Sequence, residues 1–236
     1  MQRRRFIETC SGALLCSTAL AEAATAAGPA GAPRRYSPAR LLDENGKPLR
    51  ASQVPARRNL VFSYPFVATP AFLLNLPKRP AAAARLSDSR GVGYEWPGGV
   101  GPARSIVAFA AICAHQLAYP AREISFISFR EEANGPNRRA DVIHCCAEHS
   151  QYDPAAGARV LAGPAPQPLT AILLEHDAGD DSLTAVGTVG GEVYDAFFAK
   201  YDFKLAMEYG GRQRDLVTGE TRVQPLEQVC RQQIQC

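Results

Sequence analysis

The sequence has no long apolar run and almost no net charge. Its 26 Lys and Arg residues nearly cancel 23 Asp and Glu, leaving +3. There is no basic stripe and no interleaving of aromatic with basic residues, which removes nucleic acid from the candidate partners. No stretch reaches the roughly 20 apolar residues that a membrane-spanning helix needs. The mildly apolar segment from Ala13 to Leu20 is short and is bracketed by Glu8 and Glu22. No internal repeat is visible, so stacked-repeat architectures fall away. Glycine (19) and proline (18) are frequent, which argues for a loop-rich β protein over a helical bundle.

What is present begins with Arg3-Arg4-Arg5-Phe6-Ile7, which fits the twin-arginine export pattern R-R-x-F-[LI]. Ala19-Leu20-Ala21 offers a cleavage site, with Ala24-Thr25-Ala26 as a second choice. Residues 1–27 therefore read as a leader, and the expected location is the periplasm. An uncleaved leader would add membrane association. Cys16 follows Leu15 in a poor context for lipidation. Residues 28–57, rich in Pro, Ala and Arg, read as a linker with little structure.

From 58 to 190 the chain reads as many short strands separated by turns, which predicts an antiparallel β sandwich. Strands are expected at 59–65, 72–76, 105–112, 124–129, 141–144, 171–176 and 183–187. The segment from Pro77 to Arg104 is rich in Gly and Pro and reads as loop. After 190 the character changes. Tyr194, Phe197, Phe198, Tyr201 and Leu205 recur at helical spacing up to Gly210-Gly211. Ala196 to Tyr209 is predicted to form an amphipathic helix, and residues 191–236 to form a C-terminal helix and tail. An aromatic stripe of this kind faces a core more often than a partner.

Seven cysteines divide into three groups. Cys10 and Cys16 lie in the leader. Cys230 and Cys236 lie in the tail, where a local disulfide and two free thiols are equally open readings. Cys113, Cys145 and Cys146 lie at the centre, in Cys113-Ala114-His115 and Cys145-Cys146-Ala147-Glu148-His149. Each box sits at the exit of an expected strand, where a rigid sheet presents loop residues. Two thiolates and two imidazoles converging make a metal site. Structural zinc accepts Cys₂His₂, but it usually brings two Cys close together before two His. A Cys–His nucleophile needs only one of each and leaves the doubling unexplained. A Rieske-type [2Fe–2S] centre accounts for both boxes, since two Cys hold one iron and two His the other.

The region from 93 to 187 resembles the Rieske iron–sulfur family. Gly98-Gly99-Val100-Gly101-Pro102, followed by Ile106 to Phe109 and Ile112-Cys113-Ala114-His115, is closest in pattern to the small Rieske subunit of arsenite oxidase. Gly163-Pro164-Ala165-Pro166 with Leu169 resembles the proline loop that covers the cluster in that family, and Asp153 and Ala185-Val186-Gly187 also fit. The resemblance implies a Rieske sandwich with a cluster-binding subdomain. It implies Cys113, His115, Cys146 and His149 as ligands of one [2Fe–2S] cluster. C-x-x-H spacing selects Cys146. The family's Ser and Tyr follow its second His one residue later than Ser150 and Tyr152 do here, and aligning on that pair instead would select Cys145. In cytochrome bc members an extra Cys in each box forms a disulfide between the loops. Ala118 and Glu148 stand at the corresponding positions. His144 and His176 read as ordinary strand residues. The implied function is one-electron transfer, with no catalytic residue of its own. The partners would be a larger redox subunit, such as a molybdenum oxidase, and a cytochrome or similar carrier. The alternatives are a quinol-oxidising subunit of a cytochrome bc complex and a zinc-stapled binding protein.

Overall fold

The structure is a computed structural model and describes residues 30–133 and 139–236. The leader, its cleavage site, Cys10 and Cys16 lie outside the described residues. In chain order the strands are β1 (Arg34–Leu42), β2 (Leu60–Ser63), β3 (Pro70–Asn75), β4 (Ala84–Ser87), β5 (Gly93–Trp96), β6 (Ile106–Ala110), β7 (Ile124–Ser125) and β8 (Ile127–Arg130). They continue with β9 (Val142–Cys145), β10 (Ser150–Asp153), β11 (Arg159–Ala162), β12 (Ala171–His176) and β13 (Leu183–Val189). Helix α1 (Tyr194–Tyr209), β14 (Gly219–Arg222), β15 (Gln224–Pro225), α2 (Leu226–Val229) and β16 (Gln232–Gln233) complete the chain. No helix among the described residues is long and apolar enough to cross a membrane.

Eight strands form the main sheet in the order β14-β1-β13-β12-β6-β3-β2-β15, antiparallel except for the β1–β14 pair. A smaller antiparallel sheet, β11-β10-β9-β8, packs beside it. The expected all-β, antiparallel class is the observed one. Alternation explains why the central strands carry unbroken apolar runs. Phe72, Leu74, Val107 and Phe109 enter one core, shared with Ile127, Ile143 and Tyr152 of the small sheet. Ala71, Leu73, Ile106 and Ala108 enter a second core on the other face, with Leu41, Phe62 and Ile172. Both faces of β3 and β6 are thus buried, and the platform under the first Cys box is rigid.

Two expectations change. The stretch read as a linker supplies β1, which lies between β13 and β14 and buries Ala39 and Leu41 completely. Its Pro and Arg content hid an alternating strand. The C-terminal helix keeps its core-facing stripe, and the change lies in its start and in the strands that follow it. Helix α1 begins two residues earlier than expected and ends at Gly210, whose φ of +60° closes it. Its Phe197, Phe198 and Leu205 pack with Ile112 and Tyr119, so the aromatic stripe faces a third core. β16 pairs in parallel with β7 at the edge of the box region.

Candidate metal centre

The first box follows directly from β6. Cys113 is fully buried, and the turn after it is closed by two backbone bonds. The Ala118 carbonyl accepts from the Cys113 N–H, and the Cys113 carbonyl accepts from the Leu117 N–H, both at 2.9 Å. The second box closes the hairpin between β9 and β10. Cys145 pairs directly with Ser150, which leaves a four-residue turn, 146–149. Leu117 and His149 each have φ of +58°. Each is the fourth residue after a buried cysteine. The two loops therefore share one backbone device when counted from Cys113 and Cys145, and they do not match when counted from Cys146.

Side-chain placement follows that register. The Cys113 and Cys145 thiols hydrogen-bond to one another at the centre of the main core. The bond from Cys145, joined by donors from Tyr152 and the backbone N–H groups of His115 and Gln116, pulls the Cys113 thiol well below its ordinary range. Cys145, as the donor to that thiolate, is pushed up, and burial adds to the effect. The Tyr152 hydroxyl lies 3.3 Å from the Cys113 sulfur and accepts the Ala114 N–H at 3.2 Å. Burial, then the neighbouring thiolate charge, keeps that phenol protonated. In the same two boxes, His115 Nδ1 and the Oγ of Ser150, which sits opposite Cys145 across the hairpin, are buried without a partner. Orphaned polar atoms beside two buried thiols need an explanation, and a bound group provides one.

Cys146 is placed elsewhere. It forms a disulfide with Cys236, 90 residues away, so its sulfur is not available as a ligand in this structure. The expectation from C-x-x-H spacing is not met, because the hairpin register turns Cys145 inward and Cys146 outward. Of the two open readings for the tail cysteines neither holds for the pair: Cys236 bonds to Cys146, and Cys230 is a buried free thiol. His149 is exposed in the turn, with its ring 5.8 Å from the ring of His144. His144 is buried, and burial first, then Arg130, lowers its basicity. His176 Nε2–H donates a 2.8 Å bond to Asp181 Oδ1, far from the boxes in sequence.

Two further contacts hold the loops. Lys200 of α1 donates to the Gln116 carbonyl at 2.6 Å, and Tyr119 packs edge-on against Phe197 and Tyr201. The terminal segment straps the second loop. Backbone N–H groups of Arg231, Gln232 and Ile234 donate to carbonyls of Arg122, Glu123 and Ser125, and Arg130 donates to the Ile234 carbonyl. The loop from Gly163 packs against the second box. A Cβ on Gly163 would sit 2.5 Å from Ser150 Cα and 2.7 Å from the His149 carbonyl oxygen, so only glycine allows this approach to the second box. The strap was not legible from spacing, since the signal was a lone distant cysteine.

No family model matches the chain. The fold is similar to that of the soluble domain of the Rieske protein II (soxF) from Sulfolobus acidocaldarius, with a TM-score of 0.47 and 22% sequence identity, over 66% of this chain and 82% of that one.

Proposed function

We propose that the chain holds a Rieske-type [2Fe–2S] cluster and transfers single electrons as one component of a larger redox system. One observation carries the reading. Two fully buried cysteines from two matching loops enter one core, and the same two loops carry the orphaned His115 Nδ1 and Ser150 Oγ. Cys113 and Cys145 would hold one iron, and His115 and His149 the other. When bound, such a cluster supplies a one-electron couple and leaves no coordination position open for substrate.

The chain's own residues then set the conditions. Full burial of both thiols excludes water from the sulfur side. Tyr152 and the backbone N–H groups of His115 and Gln116 are the hydrogen-bond donors to the Cys113 sulfur, and donors to sulfur favour the more negative, reduced state. The partly exposed His115 and exposed His149 form the edge through which a partner would be met. Export by the twin-arginine leader, a periplasmic location and a larger, molybdenum-oxidase-like partner with a cytochrome acceptor complete the proposal. They rest on Arg3 to Ile7 and on the resemblance of the first box.

The purified protein should contain about two iron and two labile sulfide per chain and show Rieske optical and EPR spectra. Zinc without labile sulfide would overturn the reading. Cys145→Ser should abolish the spectrum while Cys146→Ser preserves it. His149→Ala should abolish it and Glu148→Ala, one position earlier in the turn, should not.

A further inference from the structure

We infer that His144, Cys146 and Cys236 form a second metal site, selective for zinc, when the bond between the two cysteines is reduced. Their donor atoms all lie within 4.8 Å of one another. The His144 nitrogens are 3.6 and 3.7 Å from the Cys236 sulfur. Tetrahedral zinc, with Zn–S near 2.3 Å and Zn–N near 2.0–2.1 Å, holds such a pair about 3.6 Å apart. Its donors face the side of the small sheet opposite to Cys145, because neighbours along β9 alternate, and the site adjoins the second loop through the His149 ring, 5.8 Å from that of His144.

The backbone keeps the donors together without the disulfide. The Cys146 N–H donates to the Phe126 carbonyl at 2.7 Å. The strap is held by the bonds from Arg231, Gln232 and Ile234, and by Arg130 on the Ile234 carbonyl. His144 is fixed in a strand and buried. Reduction therefore leaves two thiols facing each other beside an imidazole, with the exposed turn open for water as fourth ligand. The chemistry balances. A dithiol reductant gives two electrons and two protons to the S–S bond and becomes a disulfide. Zinc then displaces one proton from each thiol and binds two thiolates and the neutral imidazole. The strap can thus be closed by either a covalent bond or an ion.

The test uses the full-length protein as isolated, with and without a phosphine reductant, which converts the disulfide and one water to two thiols and phosphine oxide. Zinc is titrated against a chromophoric chelator, and iron and sulfide are measured in the same samples, so loss of the cluster is seen separately. The reduced protein should take up one additional zinc per chain and the oxidised protein none. Cys236→Ser and His144→Gln should each weaken that uptake on the order of 100-fold. No additional uptake on reduction, or uptake unchanged in Cys236→Ser, overturns the site. If His144→Gln fails to fold, the Cys236→Ser arm decides alone, since that residue lies in the strap.

Discussion

Removing the Cys146–Cys236 bond is the perturbation that the fold makes most informative. The bond closes a loop with a sequence separation of 90 residues. Chain-entropy scaling for a loop of that size gives about 4.6 kcal/mol at 25 °C, as an upper figure, within a usual range of roughly 2–5. For a domain of about 200 residues, each kcal/mol moves Tm by about 2–4 °C, so the full effect is a fall of roughly 9–18 °C. The strap's hydrogen bonds act in the folded state of both forms and largely cancel. The assay is thermal and urea unfolding of Cys146→Ser, Cys236→Ser and the double variant under oxidising conditions. Because both single variants remove the same bond, the double variant should cost no more than either. Reduction should lower the wild type to the level of the variants and leave the variants unmoved, provided zinc is chelated. Alkylation mapping supplies the refutation. If Cys146 is modified in the unreduced protein, or if the variants unfold with the wild-type midpoint, the hairpin register and the choice of Cys145 as the inward cysteine are wrong.

Four shorter predictions test other parts. Tyr152→Phe removes a donor to a charged sulfur; about 1 kcal/mol lost from the reduced state lowers the potential by ~40 mV, measured by redox titration. Gly163→Ala forces a Cβ against Ser150 and His149 at a positive φ, so it should destabilise by about 1–3 kcal/mol and deplete the cluster, read by urea midpoint and iron content. Phe197→Ala should cost about 3–5 kcal/mol and not behave as a tail mutation, because the ring is fully buried against Tyr119. Burial pushes the Asp88 carboxyl up, but bonds from Arg90 and the Val92 and Arg90 N–H groups outweigh it and hold it below the usual range. Its stabilisation is present above the unfolded value near 3.9 and is lost as pH falls through the depressed one. Asp88→Asn should flatten the acid limb of stability below about pH 4, and an unchanged limb would exclude the role.

Much of this was legible in the residues, for identifiable reasons. β6, β8 and β12 announce themselves through runs or alternation, and each Cys box follows a strand. The α1 stripe at 194, 197, 198 and 205 carries its own period. What failed was spacing taken without register. C-x-x-H favoured Cys146, while the pairing of Cys145 with Ser150 turns Cys146 outward. Ser150 and Tyr152 carried the alternative signal, since their positions relative to Cys145 keep the hairpin in phase. β1 was missed because Arg34, Arg35 and Pro38 mask the alternation of a strand whose partners are about 150 residues downstream in sequence. The parallel pairs β1–β14 and β7–β16 join distant segments and leave no local trace.

The left-handed residues after each cysteine have a practical consequence. At φ of +58° a side chain costs on the order of 1 kcal/mol relative to glycine. At 149 the backbone favours glycine, while the proposed role needs an imidazole. Conformation and chemistry therefore make opposite demands on one residue. A His149→Gly chain should fold more stably than a His149→Ala chain while equally lacking the ring. Comparing the two separates what the turn requires from what the metal requires. At Leu117, where no ligand is proposed, glycine should bring the same conformational relief, reduced only by the packing that Leu117 makes beneath α1.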